Sequence, residues 1–367
     1  MADGHSPNIV GLVSDLLDRA VISRATDVHF EPGDSALLVR FRVDGVLREI
    51  DRLPIAITPN IIARLKVLAS LLTYRTDTPQ EGSFAHARAG GATDIRVATF
   101  PTIRGERVVL RLLPAGQKRL HLDDLGHSAA TTARLRAACR ATDGMLIVCG
   151  PVGSGKTTTL HALLDEIRRA RPGASIFAIE DPVEMRIDSV TQTQIEPARG
   201  LTYAVALRSL LRQDPQVLMV GEIRDAEVAQ IAAEAALTGH LLLTTLHSGQ
   251  AVDAIVRLRE MGLAPYQITS ALRGVISQRL VRTICECRAA GPAVCTRCGG
   301  SGYAGRTAIG QFVEMTQALR DSIIADADSQ QLRTAATCAS LRDDAARLLS
   351  ANRTTKPEID RVLGDGA

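Results

Sequence analysis

Apolar residues in the first third of the chain alternate between helical and strand-like spacing. Residues 8–22 and 59–72 carry apolar side chains at intervals of three and four, which predicts two amphipathic helices. Short apolar or alternating runs bounded by turn residues predict strands between and after them. These predicted strands are 27–31, 37–43, 46–50, 94–100 and 106–113. Mixed in this order, the elements predict an α+β domain over residues 1–114.

A different pattern begins after residues 115–127, a polar segment with Pro and Gly that predicts a linker. From residue 128 onward, fully apolar runs alternate with helical stretches. The runs are 145–149, 175–180, 217–221 and 241–246; the helical stretches are 155–170, 202–212, 225–237 and 250–261. This alternation predicts a parallel sheet covered by helices on both faces, so residues 128–367 form an α/β domain. Its tail, 316–367, is predicted to be helical.

The segment DIRVATFPTIRGERVVLRLL predicts a β-hairpin with an unusual pair of charges. A tight turn centred between Ile103 and Arg104 places Arg96 opposite Arg111. Like charges directly opposite each other destabilise a sheet by a few tenths to about 1 kcal/mol. Two interpretations stand: both arginines are solvated, or the pair binds an anion such as a nucleotide phosphate.

GPVGSGKT (150–157) fits the phosphate-binding loop pattern G-x-x-x-x-G-K-[ST], and it joins a predicted strand to a predicted helix. Its glycines allow backbone N–H groups to surround phosphate at the start of a helix. Lys156 is expected to reach the β- and γ-phosphates and Thr157 to bind Mg²⁺. The predicted nucleotide-binding residues of this loop are Gly150, Pro151, Val152, Gly153, Ser154, Gly155, Lys156, Thr157 and Thr158. The sequence therefore predicts an ATP site.

Acidic residues follow two other predicted strands. Glu222 ends VLMVGE and Glu180 ends SIFAIE, so both are expected at the carboxyl edge of the sheet, where parallel sheets bind ligands. Glu222 is the candidate to act through Mg²⁺ or a water, and Glu180 the candidate base that activates the attacking water. His240 and His247 stand at opposite ends of one strand. Each is a candidate phosphate sensor or a structural polar contact.

The amino-acid composition narrows the classes of binding partner that the chain can have. The 367 residues carry a net charge of +3 and only 3% aromatic residues, with no Trp. This composition argues against direct nucleic-acid binding, which favours basic patches and aromatic stacking. No apolar run reaches the roughly 18–20 residues that span a bilayer, so no membrane insertion is expected. The N-terminus lacks the basic start and cleavage site of a signal peptide, which predicts a cytoplasmic protein.

Four of the seven cysteines crowd into CECRAAGPAVCTRC. Cys295 and Cys298 form a C-x-x-C pair, whereas Cys285 and Cys287 form C-x-C. In an extended chain the latter stand roughly 6.5–7 Å apart, farther than the 4 Å or less required of two thiolates on one zinc. A kink at Glu286 is needed to bring them together. We expect a closed structural zinc site with four cysteine ligands; the alternative is free thiols.

Taken in order, four motifs resemble the secretion ATPase superfamily. They are GPVGSGKTTTL, IEDPVE, LRQDPQVLMVGEIRD and TGHLLLTTLH, and they are most similar to motor ATPases of type II secretion and type IV pilus assembly. The stretches SDLLDRAVISRATDVHFEP and VRFRVDGVLRE of the first domain also match, as does the second half of the cysteine run with Cys295 and Cys298. The first half departs from the family pattern, because Cys287 stands one residue early. The resemblance covers the chain from about residue 7 to its end.

The resemblance implies a PAS-like N-terminal domain, a RecA-like ATPase domain with a small cysteine-bearing insertion at 285–298, and a homo-hexameric ring. Such motors use ATP and Mg²⁺, dock on a platform protein at the bacterial inner membrane, and drive pilus or pseudopilus fibres. Arg96 and Arg111 match arginines that these motors direct toward the nucleotide phosphates. We expect a cytoplasmic protein peripheral to the inner membrane.

The resemblance also leaves alternatives. Secretion and extension motors usually begin with a further docking domain, whereas this sequence starts at the PAS-like domain. Pilus retraction motors share that feature but normally lack the cysteine run. A conjugation or DNA-uptake ATPase is a further alternative, disfavoured by the charge and the scarcity of aromatics. A regulatory nucleotide-binding protein with negligible turnover is disfavoured by the intact Lys156, Glu180 and Glu222.

Overall fold

A computed structural model describes residues 8–88, 91–114, 120–289, 295 and 297–364. The chain divides into two compact units, Met1–Lys118 and Arg119–Ala367. Residues 115–119 of the predicted linker lie outside the described part. The rest of that segment is not a free linker: Leu122 and Leu125 are buried in the core of the second unit.

The first unit is a six-stranded antiparallel sheet with two helices on one face. Its elements are α1 (Ile9–Ile22), β1 (Asp27–Pro32), β2 (Ala36–Val43), β3 (Val46–Pro54), α2 (Thr58–Leu68), β4 (Gln80–Arg88), β5 (Gly91–Thr102) and β6 (Gly105–Pro114). The strand order is β3-β2-β1-β6-β5-β4. Apolar residues of α1 and α2, among them Leu16 and Leu65, pack with alternate strand residues such as Phe30 and Leu110. On the helix-covered side, the buried Glu106 of β6 pairs with Lys66 of α2 at 2.7 Å, whereas exposed strand arginines such as Arg96 lie on the other face.

Helix α2 ends four residues earlier than the periodicity predicts. Ser70 adopts a positive φ of 57°, and Leu71 N donates to Lys66 O. This left-handed residue closes the helix, as it commonly does at helix ends. Strand β4 is absent from the predicted elements, because QEGSFAHAR lacks the β-branched residues that signal a strand.

The second unit is built on a seven-stranded sheet. Its strands are β7 (Gly144–Cys149), β8 (Ile176–Glu180), β9 (Thr191–Gln194), β10 (Val217–Val220), β11 (Leu241–Leu246), β12 (Leu272–Ile284) and β13 (Tyr303–Glu314). They are ordered β13-β12-β7-β11-β10-β8-β9, and all neighbours are parallel except β12 and β13. The predicted parallel sheet is confirmed, and the β12–β13 hairpin is an addition that the pattern did not predict.

Helices cover both faces of this sheet, as the continuous apolar strands require. They are α3 (Ala129–Cys139), α4 (Lys156–Ala170), α5 (Tyr203–Leu210), α6 (Ala226–Leu237), α7 (Ala251–Glu260), α8 (Pro265–Ala271), α9 (Gln317–Ile324), α10 (Ser329–Ala335), α11 (Leu341–Ser350) and α12 (Lys356–Leu363). Along β7, Leu146 and Val148 join the core under α3 and α4, whereas Met145 and Ile147 join the core under α5 to α8. None of the described helices is long and apolar enough to cross a membrane.

Candidate functional site

The loop between β7 and α4 has the backbone that phosphate binding requires. Gly150, Gly153 and Gly155 have φ of 149°, 77° and 85°. A Cβ on Gly150 would lie 2.6 Å from both Gln278 O and Ser154 Oγ, so no larger residue fits there. Gly155 is the N-cap of α4, which leaves the first amides of that helix directed into the loop.

Two further side chains of the loop fit a phosphate ligand. Lys156 Nζ donates to Gly150 O at 3.0 Å and to Pro151 O at 3.1 Å, so the ammonium group sits at the loop mouth. Burial lowers the pKa of Lys156, which Glu222 partly offsets. Ser154 Oγ is buried and has no hydrogen-bond partner within the described residues. Thr157 is half-buried, and Thr158 and Val152 are exposed.

Parallel pairing brings the predicted carboxylates to the edge where this loop begins. Cys149 pairs with Leu246, and Val220 pairs with both Thr244 and Ile179. Gly150, His247, Glu222 and Glu180 therefore follow neighbouring strands at one end of the sheet. This is the arrangement in which parallel sheets bind nucleotides.

Glu222 and His247 form a pair at this edge. Glu222 Oε2 lies 3.0 Å from His247 Nε2, and Arg224 Nε binds the other oxygen of the same carboxylate. Arg224 also reaches Asp181 at 3.3 Å. The His247 side chain is 54% exposed and Glu222 16%. His247 is thus open to a ligand, whereas the Glu222 carboxylate is largely covered by His247 and Arg224.

Glu180 is held differently. It is 3% exposed, its Oε2 lies 3.1 Å from His161 Nε2, and Gln192 Nε2 donates to its Oε1 at 2.8 Å. His161 belongs to α4, the helix that begins with Lys156. Sequence reasoning missed His161; its available signal is a titratable residue on the helix that begins at the phosphate loop.

His240 lies at the other end of β11, away from the phosphate loop. Its Nδ1 is 2.9 Å from Ala235 O, and its backbone carbonyl accepts from Gly144 N at the start of β7. Because the loop follows the carboxyl end of β7, the strand separates His240 from Lys156. Of the two predicted histidines, only His247 joins the site, and His240 makes a structural contact.

The arginine hairpin has the predicted register. Arg96 pairs with Arg111, and Phe100 pairs with Arg107. The structure adds an acid on the other side: Asp27 on β1 pairs with Arg111, and their side chains lie 3.2 Å apart. Arg42 binds the same carboxylate at 3.2 Å. Arg111 is thus compensated, whereas no ion pair of the exposed Arg96 is found within the described residues.

A further cation lies beside the phosphate loop, on β12. Arg279 Nη1 donates to Gln278 O at 2.9 Å and Nη2 to Gly249 O at 2.7 Å. Burial lowers the pKa of Arg279, and the positive charge of Arg279 helps to lower the pKa of Lys156. The buried polar stretch around Gln278 and Arg279 in β12 was the available signal, since polar residues inside a central strand need partners.

The four clustered cysteines converge at the tip of the β12–β13 hairpin. Their sulfurs all lie within 4.8 Å of one another. Cys285 Sγ is 3.9 Å from Cys295 Sγ, and Cys287 Sγ is 3.3 Å from Cys298 Sγ. Sulfurs of a tetrahedral zinc with Zn–S of about 2.3 Å are separated by about 3.8 Å. The donor set therefore fits a tetrahedral thiolate metal.

The kink that C-x-C requires is present. Strand β12 ends at Ile284, and a 3₁₀ turn runs over Glu286–Ala289, so Cys285 and Cys287 are not on one extended strand. Although burial opposes ionisation, hydrogen bonds from Cys287 and from Gly302 N lower the pKa of Cys298 to about 6. A thiolate at this position suits a metal ligand.

The base of this hairpin is fastened to α12. Glu358, 1% exposed, accepts from Arg282 Nε and Nη2 at 2.9 and 2.6 Å and from Arg361 Nε at 2.8 Å. Tyr303 Oη and Thr355 Oγ1 are 2.6 Å apart, and the Arg282 guanidinium lies 4.2 Å from the Tyr303 ring centre. Although burial opposes ionisation, these arginines lower the pKa of Glu358 to about 2.

Together, the sheet edge and loop define a P-loop ATPase fold. The chain belongs to the family described as Type II/IV secretion system protein, whose family model matches residues 2–361. The family inferred from the motifs is thereby confirmed.

Similar proteins agree. A type II secretion system ATPase E of Vibrio cholerae is 40% identical over 96% of this chain and 75% of its own length. The type II secretion system protein HxcR of Pseudomonas aeruginosa is 41% identical over 97% of this chain and 78% of its own length. Among solved structures, the ATPase DotB of Legionella pneumophila superposes with a TM-score of 0.72 at 21% identity, covering 96% and 95%. The pilus retraction motor PilT with bound ADP superposes with a TM-score of 0.63 at 25% sequence identity. The match covers 94% of this chain and 95% of the PilT chain.

Proposed function

We propose that this chain is a Mg²⁺-dependent motor ATPase that works as a homo-hexamer to assemble a type II secretion pseudopilus or a type IV pilus. The observation that carries the proposal is the placement of the Lys156 loop, Glu222 and Glu180 at one edge of a parallel sheet. Family membership and the 40% identity to a type II secretion ATPase support the pathway.

Each residue has a proposed task. The loop amides and Lys156 bind the β- and γ-phosphates, and Lys156 leaves its two carbonyl partners to do so. Thr157 and Glu222 would hold Mg²⁺, which neutralises charge on the transferred phosphoryl group. Glu180 orients and deprotonates the attacking water. His247, paired to Glu222, senses the γ-phosphate.

We assign the arginines of the first unit to a neighbouring subunit's nucleotide. Arg96 is exposed and carries no ion pair within the described residues, so its charge is available to an anion, whereas Arg111 shares Asp27. An arginine supplied in trans stabilises transition-state charge and ties hydrolysis to assembly. Arg96 is therefore the principal trans arginine and Arg111 its support.

The cysteine tip is proposed to hold one structural Zn²⁺ through Cys285, Cys287, Cys295 and Cys298. A closed four-thiolate site has no open position for catalysis, so the metal would stabilise the hairpin. The protein is proposed to lie on the cytoplasmic side of the inner membrane, where it docks on a platform protein. The relatives in type II secretion, at about 40% sequence identity, favour secretion or assembly over retraction, since the sequence identity to the retraction motor is 25%.

ATP hydrolysis by the purified, oligomeric protein tests the enzyme. We expect Mg²⁺-dependent release of phosphate that rises with oligomerisation and is abolished by Lys156→Ala. Turnover of the wild type equal to that of Lys156→Ala, in a hexamer verified by mass, would overturn the proposal.

A further inference from the structure

Gln278, on β12, lies beneath the phosphate loop with its amide fully engaged. It is 1% exposed. Its Nε2 donates to Ser154 O at 2.7 Å, and its Oε1 accepts from Thr159 Oγ1 at 2.8 Å. Ser154 and Thr159 are themselves buried. One side chain thus joins the loop to the first turn of α4, across 124 residues of sequence.

The donor half of this amide sets the direction of one peptide group. The Ser154–Gly155 peptide is trans. In a trans peptide, the C=O and the next N–H point in opposite directions. Because Ser154 O points down to Gln278, the Gly155 N–H points up into the loop. No hydrogen bond from that N–H is found among the described residues.

The positive φ of Gly155 means that the orientation of the Ser154–Gly155 peptide depends on a partner outside the loop, the Gln278 amide. At φ 85° and ψ 21°, a glycine can adopt several other conformations at little cost. Rotation of the Ser154–Gly155 peptide would replace an N–H by a carbonyl oxygen at the place where phosphate binds. An oxygen there would repel the anion. The buried amide of Gln278 opposes this rotation, because it would lose its acceptor in a site without solvent.

We propose that Gln278 is a positioning residue for nucleotide phosphate, which holds the Gly155 N–H toward the ligand without touching it. The inference rests on the proposed function, since it concerns the same loop. It predicts that the donor of the amide matters more than its acceptor. Gln278→Glu keeps the acceptor for Thr159 and loses the donor to Ser154 O, but it also adds a negative charge beneath the loop. Gln278→Met loses the donor without adding a charge, so weaker binding in both variants is due to the missing donor rather than to charge repulsion.

The test is Mg-ADP binding, with Gln267→Glu as the matched control. Gln267 is also buried, but its Oε1 accepts from Ala264 N at the start of α8, so a carboxylate can replace it there. We expect Gln278→Glu to weaken Mg-ADP at least tenfold and Gln267→Glu to stay within twofold of the wild type. The KM for ATP should rise in parallel, while kcat at saturation changes less.

Binding by Gln278→Glu within twofold of the wild type would overturn the role of Gln278. If Gln278→Glu does not fold, as judged by its circular dichroism and melting, the same criterion applies to Gln278→Met, which keeps the volume and has no amide. Wild-type protein that fails to bind Mg-ADP would instead overturn the proposed function. The two failures are therefore distinguishable.

Discussion

His161 Nε2 lies 3.1 Å from Glu180 Oε2, and both side chains are buried. His161 stands on α4 five positions after Lys156, so the helix that begins at the phosphate loop also holds the candidate base. A movement of α4 on phosphate binding would therefore reach Glu180 directly. Gln192 fixes the other carboxylate oxygen from β9.

Replacing His161 should affect chemistry more than binding. We expect His161→Leu to lower kcat at least tenfold, because Glu180 loses one of its two hydrogen-bond donors and with it its orientation. General-base catalysis as a whole contributes about 10²–10⁴-fold, which sets the upper limit of the loss. His161→Gln, which retains a donor, should recover much of the loss. Steady-state hydrolysis and nucleotide titration measure the two effects. A parallel loss of ATP affinity in His161→Leu would contradict this role.

Arg96→Ala should abolish most hydrolysis in the hexamer and leave ATP binding nearly unchanged. The reason is that the guanidinium is proposed to act on a neighbour's transition state, where a trans arginine contributes about 10³–10⁵-fold. Arg52→Ala is the control, since Arg52 is an exposed arginine of β3 paired with Glu49. Mixing Arg96→Ala with Lys156→Ala subunits should restore part of the activity. Full turnover by Arg96→Ala would refute the assignment.

Zinc content tests the cysteine tip. Purified under reducing conditions without chelator, the wild type should contain about one zinc per chain, and Cys287→Ser should lose most of it and melt earlier. Cys338→Ser should keep its metal, because Cys338 lies apart from the cluster and accepts from Gln311. Less than about 0.3 zinc per chain in the wild type would reject the site.

Glu358→Gln should loosen the base of the same hairpin. Removing a buried charge that binds two arginines costs about 3 kcal/mol or more in the free energy of unfolding. The folded-state pKa of Glu358, about 2, lies below its ordinary value of 4.5. Its contribution is therefore complete above about pH 4.5 and is lost as the pH falls toward 2.

Denaturant unfolding from pH 7 to pH 3 checks the Glu358 prediction. The difference in stability between wild type and Glu358→Gln should shrink as the pH falls. Asp360→Asn, on the same helix, controls for the loss of a charge near α12. A difference that is independent of pH would show that the arginine contacts do not depend on the ionised carboxylate.

Much of the fold was predictable because its signals are local. Continuous apolar runs identified β7, β8, β10 and β11, and the hairpin turn placed Arg96 opposite Arg111. Strands β4, β9, β12 and β13 were not predicted, since polar residues interrupt them and their stability comes from neighbours. The range of α2 was overestimated because Ser70, not the periodicity, ends it.

By itself the sequence determined the phosphate loop, the family and the carboxylates at the strand ends. Each of these depends on a short run of residues, in which glycine sterics and strand direction decide the outcome. Only the tertiary structure decided that Asp27 compensates Arg111, that His161 holds Glu180, and that Gln278 supports Ser154. The convergence of Cys285 and Cys287 also required the 3₁₀ turn. These contacts join residues from separate elements, and packing between elements determines which side chains meet.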